Sequence, residues 1–215
     1  MRNNIKTKIG RIMALAEKLP YFTLDDLLSI ERNKNYLKIL FSRQGKSGEI
    51  IRLKKGVYAS ERYLLGHLAQ AEMDFYSEFL ANILYQPSYL SLDYILYENN
   101  LLTEIPRNFT SMTKNKTANF FNKIGSFFYH KIKDELFCGF EIVKKGDFTI
   151  FRASKAKALF DFLYLRKNSL INKRAFEELR INLENLMKSD LKELKKYIKI
   201  EGSKRMKEIF NYLLK

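Results

Sequence analysis

Two short apolar runs separated by a basic turn constrain this chain more than any other feature. Residues 50–60 read I-I-R-L-K-K-G-V-Y-A-S. Alternation over about 49–53, and the β-branched and aromatic residues of 57–60, predict two strands joined by Lys54-Lys55-Gly56. A lone hairpin is marginal in water and needs something to pack against. The preceding segment supplies it. Ile5, Ile9, Ile12 and Ala16 have helical spacing over 5–18, and Pro20 closes that helix. Thr23, with Asp26 three residues on, marks the start of a short second helix over about 24–30. A third helix is predicted over about 33–44, with Tyr36, Leu37, Leu40 and Phe41 inward and Lys34, Lys38, Ser42 and Arg43 outward. Gly45 and Gly48 end it.

Three short helices followed by a hairpin is the element order of a winged helix-turn-helix. In that motif the helix after the turn enters the DNA major groove, and the hairpin lies against the backbone or the minor groove. Arg52, Lys54 and Lys55 then sit where phosphates pass. Phosphate contacts position a protein without specifying sequence. Reading of bases falls to the outward face of the third helix: Lys34, Asn35, Lys38, Ser42 and Arg43. The alternative is a solvated basic hairpin on a small domain used only for protein contacts.

Charge supports a polyanionic partner because it is uneven. The formal net charge is +15. Residues 1–60 carry 13 Lys and Arg against 5 Asp and Glu, residues 61–153 carry 10 against 11, and residues 154–215 carry 16 against 8. A basic head and a basic tail flank a neutral middle, which favours nucleic acid. A general lysine bias of the genome is the competing explanation, and for the tail it carries equal weight.

Beyond residue 60 the pattern is mixed. A longer helix is expected over 61–84, broken by Pro87 and Ser88, and another over about 91–99. Residues 107–152 are β-rich, with a hairpin turn at K-K-G-D (144–147). A strongly apolar helix over 154–167 is capped by Ser154, and residues from about 172 onward are helical with charged outer faces. The expected architecture is therefore α+β. An N-terminal winged helix-turn-helix (1–60) precedes a mixed α+β domain (61–215) with a small, mostly antiparallel sheet and C-terminal helices. With 46% hydrophobic residues the chain can bury a real core. No apolar stretch approaches the about eighteen residues of a membrane span, so a soluble, cytoplasmic protein without a membrane partner is expected. The single cysteine, Cys138, excludes an internal disulfide and a cysteine-cluster metal site.

Four segments, in order, resemble one known family. They are the hairpin I-I-R-L-K-K-G-V-Y-A (50–59) and Y-L-S-L-D-Y-I-L-Y-E-N-N-L-L-T-E-I-P-R-N-F-T-S-M-T (89–113), with its Ile-Pro-Arg step. The others are I-G-S-F-F-Y-H-K-I (124–132) and F-R-A-S-K-A-K-A-L-F-D-F-L-Y-L-R (151–166). Together they resemble the AbiEi antitoxins of type IV toxin–antitoxin and phage abortive-infection systems, over roughly 20–170. The resemblance implies a winged helix that binds double-stranded DNA of its own promoter region and represses its operon. It also implies a C-terminal domain that counters a nucleotidyltransferase-like toxin, with or without direct contact. One departure stands out: Lys155 and Ala156 stand where the family carries Pro-Glu after the serine, which weakens the match to the helix dipole.

Enzymatic chemistry finds little support, and no catalytic residue, metal ligand or cofactor is assigned. His67 and His130 lack carboxylate or cysteine neighbours at ligand spacing. Gly45-Lys46-Ser47 ends like a phosphate-binding loop, but Leu40 stands where the upstream glycine is required. Asp25-Asp26 and Asp134-Glu135 read as helix-start charge and a solvated turn, Cys138 as a small buried thiol, and Ser154 and Asp161 as cap and helix residue. Phe120, Phe121, Phe127, Phe128 and Tyr129 could stack bases, but adjacent strand residues point to opposite faces, so at most half share one surface. The second functional hypothesis is a protein- or RNA-binding module that uses a winged helix as a docking domain.

Overall fold

The computed structural model describes residues 7–67 and 70–214, with the side chains of residues 67, 70 and 71 outside that description. The chain is α+β and divides into two compact units. The first comprises residues up to Tyr76 together with Phe120–Gly125, and the second comprises Ser77–Asn119 and Ser126 onward. The seam expected near residue 60 thus falls inside the first unit. The reason is packing: Tyr63 and Leu64 are buried, the Tyr63 and Tyr76 rings lie 6.1 Å apart, and the Tyr76 hydroxyl donates to the Pro20 carbonyl at 2.7 Å.

The first unit runs α1 (Lys8–Ala16), β1 (Phe22–Thr23), a single 3-10 turn (Asp25–Leu27), α2 (Lys34–Lys46), β2 (Ile50–Lys54), β3 (Val57–Ser60) and α3 (Glu61–His67). Ile5 lies outside the described residues. Thr7 caps α1 by accepting from the Gly10 N–H at 3.0 Å. Asn33 caps α2 by accepting from the Asn35 and Tyr36 N–H groups. The second predicted helix shrinks to one 3-10 turn, where the Thr23 N–H and hydroxyl both donate to the Asp26 carboxylate. The three strands form one antiparallel sheet in the order β1-β3-β2. The core gathers Ile12, Met13 and Ala16 from α1, Leu37, Leu40 and Phe41 from α2, and Phe22, Leu27 and Ile50. The rings of Phe22, Phe41 and Tyr58 pack mutually at 5.1–5.9 Å and tie α2 to the sheet.

The next helix, α4 (Gln70–Leu84), passes from the first unit into the second. Within the expected helix over 61–84 the described residues are helical on both sides of residues 68–69, which lie outside the described residues. The second unit continues with β4 (Ser88–Leu90), α5 (Leu92–Glu98), β5 (Phe109–Thr113), the first half of β6 (Ala118–Phe121, of which Phe120 and Phe121 fall in the first unit), β7 (Ser126–Lys131), β8 (Phe140–Lys145) and β9 (Phe148–Ala153). It closes with α6 (Lys155–Arg166), α7 (Lys173–Glu177), α8 (Lys188–Glu201) and α9 (Lys204–Leu213). Its sheet has six strands in the order β6-β7-β5-β4-β9-β8. The sheet is larger than expected and mixed: β4 pairs antiparallel with β5 but parallel with β9, and β5 pairs parallel with β7. Strand β4 escaped prediction because three residues are too few to show alternation.

Helix α6 is buried over Ala156–Leu163 and is the spine of this unit. Ser154 caps it, accepting from the Lys157 N–H at 3.1 Å. A helix buried all round normally carries no charge, yet Lys157 and Asp161 are both fully buried. Their side chains meet at 2.5 Å, and Asp161 also accepts from the Ser91 and Tyr89 hydroxyls. Lys155 reaches the Asp190 carboxylate at 2.8 Å and the Asn185 carbonyl at 2.8 Å. Gly139 has φ +73°, and a Cβ there would collide with the Tyr197 hydroxyl. Among the described residues no helix is long and apolar enough to cross a membrane.

Candidate nucleic-acid interface

The outward face of α2 carries two rows of side chains, each repeating every four residues. Asn35, Ile39 and Arg43 form one row, and Lys38, Ser42 and Lys46 the other; all six are exposed. The opposite face, Leu37, Leu40 and Phe41, is buried, which fixes the rotation of the helix. Sequence reasoning passed over Ile39, which is 55% exposed.

The β2–β3 hairpin stands beside the second row. Alternation buries Ile51 and Leu53 and turns Arg52 out, and Gly56 adopts the left-handed φ of +82° that the tight turn requires. Between helix and hairpin lies a groove of about 840 Å³. Its floor includes Phe41, Ile50, Ile51 and Tyr58. Its polar lining holds Lys38, Ser42, Lys46, Arg52, Lys55 and Lys123, and no carboxylate is among its lining residues. Asn122, also in the lining, donates to the Leu53 carbonyl at 3.1 Å and accepts from the Ile124 N–H at 2.8 Å, which fixes residues 122–124 against the hairpin.

Of the eight residues predicted to contact DNA, the structure brings four into this groove: Lys38, Ser42, Arg52 and Lys55. Lys34 and Asn35 line a separate depression with Arg32 and Asn33 at the start of α2, and the Lys34 ammonium pairs with Asp25. Arg43 is exposed on α2 outside both. Lys54 is half-buried, and burial lowers its pKa. Sequence reasoning did not find Lys46 or Lys123. Lys46 reads as part of a loop beside Gly45, and nothing near residue 123 signals that it joins residues seventy positions earlier.

The titratable groups weighed for catalysis are dispersed. The His67 side chain lies outside the described residues. His130 is half-buried on β7, where burial lowers its pKa and the nearby Asp93 opposes that shift. Asp134-Glu135 opens a 3-10 turn, and Cys138 is half-buried. In the aromatic run, Phe127 and Tyr129 are fully buried, whereas Phe121 is 68% exposed. No protein-family model matches the chain, and no curated protein matches it with significance.

Proposed function

We propose that the first unit is a winged helix-turn-helix that binds double-stranded DNA, with α2 entering the major groove and the β2–β3 hairpin as the wing. The observation that carries this reading is the groove between them. Five cations line it, Lys38, Lys46, Arg52, Lys55 and Lys123, without a carboxylate to neutralise them. Such a concentration of like charge favours a polyanion, whose condensed counterions are released on binding. The flanking row Asn35, Ile39 and Arg43 offers the chemistry that base edges accept: an amide for adenine, an apolar group for the thymine methyl and a guanidinium for guanine.

The biological role we propose is that of the AbiEi family, on the strength of the four ordered segments. The chain represses its own operon and acts as the antitoxin to a nucleotidyltransferase-like toxin, without catalysing a reaction. Gel-shift titration of the full chain on the DNA upstream of its gene, against a scrambled duplex at two salt concentrations, tests the reading. Specific binding that is lost in the Lys38, Arg52, Lys55→Ala variant supports the repressor. Equal and weak binding to both duplexes, unchanged in the variant, refutes it and turns attention to a protein or RNA partner.

A further inference from the structure

Helix α8 sorts its charges by side. Its three carboxylates face inward and are all engaged. Asp190 meets Lys155 at 2.8 Å, Glu193 accepts from the Ser154 and Tyr197 hydroxyls at 2.6 and 2.5 Å, and Glu201 meets Lys167 at 2.6 Å. Its outer face carries Lys188, Lys192, Lys195, Lys196 and Lys199, all exposed. None of the five meets a carboxylate among the described residues. Lysines 188, 192, 195 and 199 follow the spacing of a single helical stripe, about 16 Å long at 1.5 Å per residue.

A merely solvated surface helix gains from alternating charge at four-residue spacing, whereas like charges there repel. In α8 the pairs 188/192, 192/196 and 195/199 are all lysine with lysine. A general lysine bias does not explain why every carboxylate is withdrawn from that face. The outer face also lacks aromatic residues, arginine, asparagine and glutamine. It cannot stack bases, and its evenly spaced ammonium groups suit a regular backbone of phosphates. Lysine is depleted from protein interfaces, which argues against a folded protein partner.

We infer that the outer face of α8 is a second polyanion site, which holds the phosphodiester backbone of a nucleic-acid duplex without regard to sequence. This inference concerns the second unit alone and does not rest on the reading of the first.

The test uses the full chain and a variant with Lys188, Lys192, Lys195 and Lys199 all changed to Gln, on a DNA duplex and an RNA duplex of scrambled sequence. Each phosphate that is no longer neutralised lowers the slope of log affinity against log salt by about 0.9, so a drop of about 3.6 is expected for the four. The matching four-arginine variant should keep the wild-type slope, which separates missing charge from damaged structure. A drop on only one duplex identifies the backbone that binds. An unchanged slope on both duplexes overturns the inference. So does a drop seen only on anionic phosphatidylglycerol vesicles or on polyglutamate, or an arginine variant as impaired as the glutamine one. An Arg52, Lys55→Ala variant run in parallel reports on the first unit, so the two readings fail separately.

Discussion

The Lys157 ammonium lies 2.5 Å from the Asp161 carboxylate one helical turn away, and neither side chain reaches solvent. The rings of Phe160, Tyr197 and Tyr89 surround that ammonium at 4.6, 5.3 and 5.7 Å. Removing one partner strands a buried charge, which typically costs about 3–5 kcal/mol. Lys157→Met and Asp161→Asn should each lower the unfolding free energy obtained from urea denaturation by that order. The double variant should cost less than the sum of the two, a coupling that a double-mutant cycle measures. Additive losses would mean that the pair is not an energetic unit.

Acid should loosen the seat of α8. Burial raises the pKa of Glu201, but hydrogen bonds from Lys167 and Ser203 outweigh it and hold the carboxyl below its usual value. A carboxylate with a depressed pKa in the fold contributes stability that is present above its unfolded value, about 4.3, and is lost as pH falls through the folded value. Glu201→Gln should therefore be less stable than the parent at pH 7, with the difference closing below about pH 4. Thermal melts across pH would show it. A gap that persists unchanged at low pH would contradict the ionic origin.

Two glycines with similar backbones should respond differently to alanine. Gly139 and Gly146 both have positive φ, +73° and +56°. Nothing lies within 4 Å of a Cβ on Gly146, whereas one on Gly139 meets the Tyr197 ring and hydroxyl. Gly146→Ala should cost only the left-handed backbone term, about 1 kcal/mol. Gly139→Ala should cost several times that, and part should return when Tyr197→Leu is added. Equal costs in denaturant unfolding would show that the ring moves aside freely.

On DNA, the two rows of α2 should separate by kind. Lys38→Ala should lower the salt slope by about one unit on any duplex. Ile39→Ala should leave the slope alone and cost on the order of 1 kcal/mol on the specific site only. That cost should vanish when the contacted thymine is replaced by uracil, which lacks the methyl group. Footprinting followed by single-base replacement makes this measurement. A loss for Ile39→Ala that is equal on scrambled DNA would remove base reading from that row.

The hairpin was legible because its signals are local. Lys55-Gly56 sits between two short strands, and the buried Ile51 and Leu53 alternate with Arg52. The amphipathic faces of α1 and α2 were legible for the same reason. Lys123 was not, because its place in the groove depends on Asn122 reaching the Leu53 carbonyl from far along the chain. The parallel pairing of β5 with β7 was equally hidden, since alternation shows that a strand exists but not its neighbour. The Lys157 and Asp161 spacing was in plain view, but a lysine in an apolar helix reads as a side chain that reaches out to water. Only tertiary packing reveals that it stays inside.

The first unit takes in Phe120–Gly125 although the residues on either side belong to the second. The chain therefore passes between the units at three places: 76/77, 119/120 and 125/126. Such a protein cannot be dissected with a single cut. A fragment ending at residue 60 or 76 would lack Asn122 and Lys123, and so one wall of its own groove. Transplanting the unit into another protein would mean grafting a discontinuous piece, with the six-residue return supplied as a tethered loop.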